Sequence, residues 1–515
     1  MASTIPLLDH APVTFEEAKL KDFDVIHRHK QVAQAKKLFL DLWTHRDDIA
    51  AITKKQLGLE NGTECTIALP KDWHRGNFNV CIPIEVKSRQ FGGKILMRCP
   101  MPLALRDAAS VDEKLRGEVG AYIWMQEHCP EIRIPHLYGF STSSGHFTRE
   151  AQLPWYRRLY RMIARCFRSL LGQSSLSRYA PLAIQATLPT QYMLLEYIGQ
   201  DVGQMLSNTW GDHRNDPSRR GRLIHGLARI MISLSRIPQP RIGSFQFHDD
   251  CTVTLTNRPS FAATTILENR GAEPSIQHGS TYNCTEPYVA DMITLHDNHF
   301  YSNQSAADDE SDCRAQMAIR TMLRTLSHHY IQKDYRNGPF LLQLTDIHPS
   351  NIFVDNDWNI TCTLDLEWLC ALPPEALSAP YWLTGCRINE IVDKDEDERW
   401  TAYDSVRREF MQVFSEEEAR VKLAWPLTTI MEDMWQSKGT WFWHCLESVD
   451  GAYYLMHDHL LPQFSAEIPD LDMPFSLLWK QDASQIVQKK LCEFDDYTQK
   501  LGRLYSPNEA LVAPS

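Results

Sequence analysis

The sequence predicts an α+β protein, on three observations. Residues 64–100 contain apolar runs separated by polar, glycine-containing turns, which is typical of antiparallel strands. Residues 341–369 read as a second β region, in which an Asp- and Asn-rich turn at residues 355–357 joins two short apolar strands. Much of the remaining chain, including residues 31–56 and long parts of residues 222–504, carries apolar residues at helical spacing.

Composition narrows the class of protein. The chain has 515 residues, of which 43% are hydrophobic and 23% charged, so it can bury a large core and exceeds the usual size of one domain. A formal net charge of −12 argues against general nucleic-acid binding, which needs a basic surface. No segment approaches the roughly 20 apolar residues of a transmembrane helix.

The sequence gives only indirect evidence about the cellular compartment of the protein. The first residues lack the basic and apolar pattern of a secretory signal, and residues 1–12 read as an unstructured tail. Thirteen cysteines without CxxC pairs indicate neither a zinc site nor a disulfide framework. We therefore expect a cytoplasmic protein, with a nuclear location as the alternative, and the sequence leaves the oligomeric state open.

The chemistry is concentrated in the second β region. Asp346 is followed five positions later by Asn351, with Pro349 between them to stop a helix. An apolar strand, the turn and a second strand then lead to Asp365. Because the outer ends of two hairpin strands lie side by side, Asp346, Asn351 and Asp365 can meet at one mouth of the hairpin.

Two carboxylates and an amide oxygen suit Mg²⁺ that also holds phosphate and water. Protein kinases use a catalytic Asp, an Asn five positions later and a metal-binding Asp beyond a hairpin. The alternative interpretation is a surface hairpin with solvated acids. We favour the first, because three residue types fall at three required spacings.

The stretches Leu344-Thr-Asp-Ile-His-Pro-Ser-Asn-Ile-Phe-Val-Asp355 and Leu364-Asp-Leu-Glu-Trp368 resemble the aminoglycoside phosphotransferase-like kinases, specifically their fungal branch. The resemblance implies a bilobal protein-kinase-like fold, with a small antiparallel β N-lobe and a large, mainly helical C-lobe. It also implies Asp346 as the catalytic carboxylate and Asn351 and Asp365 as Mg²⁺ ligands. Leu344 departs from the family, since better-known members carry His there.

The resemblance extends to the nucleotide side. Leu96-Met-Arg-Cys-Pro100 is similar to the end of the family's third strand, which makes Arg98 the cation that holds the α- and β-phosphates of ATP. Glu118 lies 20 residues further on, in a stretch of helical pattern, and is expected to pair with Arg98. The alternative is that Glu118 is one of several solvated acids.

Two further segments are expected to contact the nucleotide. Gly76 begins a turn, residues 76–79, where a phosphate-covering loop is expected, although an ordinary hairpin turn explains it equally well. Residues 191–201 resemble the hinge between the lobes. There the main-chain groups of Glu196 and Ile198 are expected to bond the adenine edge, and Gly199 lets the chain turn into the second lobe.

These elements predict a division into residues 1–60 (tail and leading helices), 61–198 (N-lobe) and 199–515 (C-lobe). A basic helical insertion, residues 153–180, interrupts the N-lobe and carries arginines on one helical face and apolar residues on the other. Such a helix can lie on an anionic membrane surface. We expect instead that its apolar side packs on its own domain and its arginines are solvated.

The predicted function is Mg²⁺-assisted transfer of the ATP γ-phosphoryl group to a hydroxyl of a small molecule, with Asp346 as the base. His348 is expected to support the loop, and Glu367 to make an outer contact. A cluster of tryptophans near residues 425–443 is expected to be core rather than a sugar-stacking surface. The chain lacks the Ala-Pro-Glu of protein kinases. The alternatives are a nucleotide-binding pseudokinase that acts as a scaffold or regulator, and a choline- or ethanolamine-type kinase.

Overall fold

The computed structural model describes residues 3–21, 23–59, 62–89, 91–391, 398–464 and 470–506. The β-strands are β1 Thr4–Leu7, β2 His10–Thr14, β3 Glu64–Ile67, β4 His74–Arg75, β5 Asn79–Lys87, β6 Gly92–Pro100, β7 Leu137–Thr142, β8 Gly145–Arg149, β9 Tyr179–Leu182, β10 Met193–Glu196, β11 Gln204–Met205, β12 Gly243–Phe247, β13 Val253–Asn257, β14 Leu341–Leu344, β15 Ile352–Val354, β16 Ile360–Thr363 and β17 Leu369–Leu372.

The α-helices are α1 Phe15–Lys19, α2 Val25–Thr44, α3 Arg46–Leu57, α4 Ala108–His128, α5 Trp155–Leu170, α6 Ser207–His213, α7 Pro217–Ser235, α8 Ala262–Asn269, α9 Thr285–Ser302, α10 Glu310–Tyr330, α11 Glu398–Ala419, α12 Leu427–Gln436, α13 Gly439–Glu447, α14 Ala452–Leu455, α15 Asp472–Trp479 and α16 Ala483–Leu504. In the part of the chain described, no helix combines the length and apolar character that a membrane crossing requires.

The strands between residues 64 and 196 form one antiparallel sheet in the order β3-β5-β6-β10-β7-β8-β9, with β4 paired to β5. Alternate residues of β5 are fully buried, as expected for a strand with one face on the core: Val80, Ile82, Ile84 and Val86. That face packs on α2 and α3 through Leu42 and Ile52. The pairing of β6 with β10 places Arg98 opposite Met193 in the middle of the sheet.

From β11 onward the described chain is mainly helical, with two small antiparallel sheets, β13-β12-β17-β14 and β11-β15-β16. Helix α4 joins the two parts: it is buried along most of its length and packs on β12. Gly120 allows this approach, since a Cβ there would lie 3.0 Å from the Phe245 Cβ. The predicted α+β class is confirmed, with an antiparallel β part between residues 64 and 196 and a mainly helical part after it.

The expectation of an unstructured tail is wrong for residues 4–12. Strands β1 and β2 pair as a hairpin, with Ile5 opposite Val13. Ile5, Leu7 and Val13 are buried against Tyr497 and Leu501 of α16. Alternating apolar residues give this hairpin a buried face, which the short segment obtains only because the last helix covers it.

Helix α1 begins with a capping box. The Thr14 N–H donates to Glu17 Oε2 at 2.8 Å, and the Glu17 N–H donates to Thr14 Oγ1 at 3.4 Å. The helical pattern at residues 31–56 is two helices, α2 and α3, which meet at His45.

In the insertion, helix α5 faces the protein with its arginine side, whereas we expected its apolar side to do so. Arg161 donates to the carbonyls of Ser177 and Tyr179, and Arg165 pairs with Glu150, so the arginine face of α5 lies on the protein. None of the α5 residues is buried, and its apolar side is exposed. The physical reason is that backbone carbonyls and a carboxylate lie beneath the helix and need donors, which leucines cannot supply.

The tryptophans behave as predicted. Trp441 and Trp443 are buried in the core of the helical lobe. Trp435 is partly buried, and its ring stacks on Trp400 at a centroid distance of 5.7 Å. None of them lines the cavities described below.

Candidate active site

The hairpin β15–β16 brings the predicted motif together. Ile352 pairs with Thr363, and the next residue, Leu364, donates its N–H to the Asn351 carbonyl at 2.8 Å. Asn351, just before β15, and Asp365, just after Leu364, therefore lie at the same open end of the hairpin. Residues 349–351 form a single 3₁₀ turn, which begins at His348 because Pro349 fits the first position of a helix.

Side chains fix this turn. The Asn351 amide nitrogen donates to the Asp346 carbonyl at 2.9 Å, which orients the amide so that its oxygen points away from that contact. The His348 Nδ1 accepts the Ser350 N–H at 3.2 Å, so this histidine caps the turn. Its Nε2 lies 3.9 Å from Asp346 Oδ2, and burial lowers the pKa of His348.

Asp365 adopts an unusual backbone conformation, with φ of +58°. Few residues other than glycine occupy this left-handed region, and Asp and Asn tolerate it best. Such conformations are found at functional sites when the surrounding structure holds them in place. Here Arg98 holds the side chain: its Nη2 donates to Asp365 Oδ1 at 2.6 Å.

Arg98 joins three elements. Besides Asp365, its Nη2 donates to Glu367 Oε2 at 3.0 Å, and its Nε lies 3.0 Å from Glu118 Oε1 on α4. The side chains of Glu118 and Glu367 are each only 2% exposed. The predicted pair of Arg98 and Glu118 is present in the structure, and the solvated alternative for Glu118 is wrong.

Sequence reasoning missed two members of this buried network, Lys114 and Asn79. The Lys114 ammonium pairs with Glu367, lies 3.7 Å from Glu118 Oε2 and donates to Asn79 Oδ1 at 3.0 Å. Asn79 in turn donates to Glu367 Oε2 at 2.7 Å. A signal was available for Lys114, because it precedes Glu118 by one helical turn.

The network contains three carboxylates and two cations, which leaves one excess negative charge. Burial raises the pKa of Glu118 to about 7, against the opposing effect of Arg98 and Lys114. Burial also raises the pKa of Asp365, although Arg98 opposes it. Burial opposes ionisation of Glu367 too, but Lys114 and Arg98 outweigh it and lower that pKa.

This charge pattern bears on the Mg²⁺ prediction. One carboxylate oxygen from each of Glu118, Asp365 and Glu367 lies within 4.8 Å of the others, close enough to share a cation. Arg98 and Lys114 pair with Glu118 and Glu367, and Arg98 also pairs with Asp365, so these two cations already occupy the carboxylate cluster. The Asp365 side chain is 19% exposed and lines a cavity, and a Mg²⁺ site formed by Asp365 with the Asn351 amide oxygen stays a prediction.

The cavity that Asp365 lines has a volume of about 710 Å³, within the usual range for small-molecule sites. Arg98 and Asp365 lie in its wall with the hinge segment, which includes Glu196 and Ile198. The Glu196 N–H donates to the His136 carbonyl at 2.8 Å, so that N–H is not available to a ligand.

Gly76 is not part of this wall. It lies in the turn between β4 and β5, where its N–H donates to the Asn79 carbonyl at 2.9 Å. His74 and Cys81, which flank that turn, line the cavity instead. A role for the Gly76 turn in covering phosphates stays a prediction.

A second cavity, of about 420 Å³, contains Asp346 and His348 in its wall. Its other side is formed by Tyr381, Trp382 and Glu447, together with apolar residues of α7. A small cleft is lined by both Asp346 and Asp365. It shares Leu344, Asp346 and Ile347 with the smaller cavity and Leu364 and Asp365 with the larger one, so the two cavities lie on either side of this pair of carboxylates.

Asp346 is poised to exchange a proton near neutral pH. Burial and the neighbouring Asp365 and Glu367 raise the pKa of Asp346 to about 7, and Arg98 opposes them in part. A carboxyl group with such a pKa is half-ionised near neutrality. That is the range in which a general base works best.

No family model and no curated protein matches the chain. Among solved structures, an ethanolamine kinase of Plasmodium vivax is similar over 83% of this chain and 84% of its own, with 10% identity and a TM-score of 0.31. A macrolide 2'-phosphotransferase of Brachybacterium faecium covers 80% of this chain and 97% of its own, with 10% identity and a TM-score of 0.30. An aminoglycoside phosphotransferase of Alicyclobacillus acidocaldarius covers 84% and 92%, with 10% identity and a TM-score of 0.30. None of these supports the fungal branch, and at such TM-scores the function has to be inferred from the site itself.

Proposed function

We propose that the protein is a phosphotransferase that moves the γ-phosphoryl group of ATP to a hydroxyl of a small molecule. The observation that carries this proposal is the position of Asp346 and Asp365 in the cleft between two cavities, of which the larger has Arg98 in its wall and the smaller has no Lys or Arg. Phosphoryl transfer asks a protein mainly to position two substrates and to neutralise charge. A pair of adjoining cavities with carboxylates between them provides such positioning.

In this proposal ATP occupies the larger cavity. The carbonyl of Glu196 and the N–H of Ile198 would bond the adenine edge, and Arg98 would bind the non-transferred phosphates. Asp365 and Asn351 would hold Mg²⁺, which, when bound, neutralises phosphate charge and keeps the phosphates in place. The buried pairs of Arg98 and Lys114 with the glutamates hold the arginine in position.

Asp346 would act on the acceptor in the smaller cavity. Its carboxylate would orient the acceptor hydroxyl and take its proton as the new P–O bond forms. A pKa of about 7 matches this role. His348 is 3.9 Å away and caps the loop, and its lowered pKa keeps it neutral, so it would position Asp346 without adding charge.

The acceptor cavity favours an amine-bearing alcohol, which is the choline- or ethanolamine-type alternative. Glu447 lines this cavity together with Tyr381 and Trp382, and among the described residues its carboxylate forms no ion pair. Burial raises the pKa of Glu447 to about 7. A cationic acceptor would ionise this group and be held by it and by the aromatic rings.

The test is an assay with ATP, Mg²⁺ and a panel of alcohols with and without an amine. We expect phosphorylation by the wild type and a loss of roughly 10² to 10⁴ in rate for Asp346→Asn, with nucleotide affinity unchanged. Asp357→Asn is the matched control, since Asp357 lies in the exposed turn of the same hairpin. Glu447→Gln should raise KM for amines only.

Nucleotide binding without phosphorylation of any acceptor would favour the pseudokinase alternative. Equal rates for wild type and Asp346→Asn would exclude Asp346 as the base. Equal effects of Glu447→Gln on amines and neutral alcohols would remove the amine preference and leave the rest of the proposal intact.

A further inference from the structure

Helix α5 has an orientation that is unusual for an amphipathic helix on a protein surface. Its basic side faces the protein: Arg161 donates to Tyr179 O at 2.7 Å, and Arg165 donates to Glu150 Oε1 at 3.0 Å. Arg168 donates to Ser174 O at 2.8 Å and lies 3.1 Å from an Asp250 carboxylate oxygen. These bonds anchor the helix beside β9, the last strand of the large sheet.

The opposite side of α5 is apolar and exposed. Its large side chains range from 44% exposed at Leu159 to 82% at Leu170. The others are Trp155, Tyr156, Tyr160, Met162, Ile163 and Phe167, and Leu171 follows directly after the helix. At about 100° per residue they cover roughly half of the helix circumference. A contiguous apolar surface of this kind marks an interaction site.

The charge distribution around this apolar side points to its partner. Arg157 and Arg158 are exposed, and about 100° per residue places them on the two borders of the apolar side. The helix contains five arginines and no acidic residue, although the chain as a whole has a net charge of −12. Cations on both borders of an apolar half-cylinder suit a layer with phosphate groups at its surface and hydrocarbon beneath.

The residue types and the length of α5 fit the same partner. Trp155, Tyr156 and Tyr160 lie at one end of the helix, and aromatic residues of this kind prefer the level of lipid headgroups. With 16 residues the helix is about 24 Å long, which is shorter than the roughly 30 Å of a bilayer core. It can therefore lie in the interface but cannot span it.

We propose that α5 docks the protein on an anionic lipid surface, with its apolar side in the acyl boundary and Arg157 and Arg158 at the phosphates. The three inward arginines, Arg161, Arg165 and Arg168, hold the helix to the protein. Because the rest of the chain is acidic, binding depends on this local patch. The docked orientation is thereby fixed by α5.

The test is sedimentation of the full chain with phosphatidylcholine vesicles that either contain or lack phosphatidylserine. We expect binding to the anionic vesicles that falls by roughly tenfold or more in Leu159→Glu/Phe167→Glu, since charge on the apolar side opposes insertion. The matched control is Leu40→Glu, an exposed leucine on α2, which should bind like wild type. Arg157→Gln/Arg158→Gln should weaken binding to anionic vesicles by about fivefold for each charge and leave binding to neutral vesicles unchanged.

These four side chains are exposed, so the variants should melt like the wild type, which separates docking from folding. Absence of vesicle binding by the wild type would overturn the proposal. Equal loss in Leu40→Glu would overturn it too. A concentration-dependent dimer that Leu159→Glu/Phe167→Glu abolishes, without vesicle binding, would assign the apolar side to a second copy of the chain instead.

Discussion

Arg98 Nη2 lies 2.6 Å from Oδ1 of Asp365, although the two residues are 267 positions apart in the chain. This contact ties strand β6 of the large sheet to the segment that follows the β15–β16 hairpin. A guanidinium and a metal ion compete for the same carboxylate oxygen. Binding of a magnesium nucleotide would therefore have to change this pair, and the nucleotide phosphates would take over the freed donors of Arg98.

The first prediction concerns Lys114. Lys114→Met should lower the free energy of unfolding by about 3 kcal/mol, because Glu367 and Glu118 then lose a cation in a buried site. The measurement is urea denaturation followed by circular dichroism. Lys37→Met, an exposed lysine on α2, should change the midpoint little. Equal stabilities of the two variants would show that the buried network does not depend on Lys114.

The second prediction concerns the pH dependence of the reaction. Asp346 has to be ionised to accept a proton, and burial with Asp365 and Glu367 raises its pKa to about 7. The rate should therefore increase as the pH rises through about 7 and level off above it. The measurement is the pH profile of kcat/KM. A rate that stays constant from acid to neutral pH would contradict the role of Asp346 as the base.

The third prediction concerns stability and pH at Glu375. This residue is 1% exposed, and burial raises its pKa to about 7. The unfolded chain releases the Glu375 proton above its ordinary pKa of about 4.3, whereas the native protein keeps it up to about pH 7. The free energy of unfolding therefore falls as the pH rises from about 4 to 7. Glu375→Gln should remove that part of the fall, which is about 3 kcal/mol. The amide oxygen can still accept the Gln332 N–H.

Denaturant titrations of wild type and Glu375→Gln at several pH values measure this difference. The two stability curves should diverge toward neutral pH, with the variant the more stable. Parallel curves would mean that Glu375 is ionised in the native protein at the lower pH as well.

The β15–β16 hairpin and the candidate site residues beside it could be predicted because the information for them is local. Asp346, Asn351 and Asp365 lie within 20 residues, and Pro349 and the turn residues determine how the chain folds between them. The pair of Arg98 and Glu118 was predicted because the family resemblance singles out Arg98 and Glu118 follows it at the spacing of a strand and the next helix. Their contact with Asp365 depends on tertiary packing.

Other features could not be read from the sequence, for physical reasons. The partner of Asn79 in the buried network, Glu367, lies 288 positions away and also pairs with Lys114, so no local pattern marks these contacts with Glu367. The two faces of α5 were evident, but which one packs on the protein depends on the carbonyls and the Glu150 carboxylate beneath it. The β1–β2 hairpin likewise needs α16 to cover it.

The most direct test of the central claim is a nucleotide titration with and without Mg²⁺, on wild type and Asp365→Asn. Asn keeps the left-handed backbone of position 365 and removes the charge, so the fold should be retained. We predict that Mg²⁺ tightens ATP binding to the wild type and that Asp365→Asn loses this gain, by roughly tenfold or more. Binding of ATP that is equally tight in both proteins, and equally dependent on Mg²⁺, would contradict the assignment of Asp365 and Arg98 to one magnesium–triphosphate site.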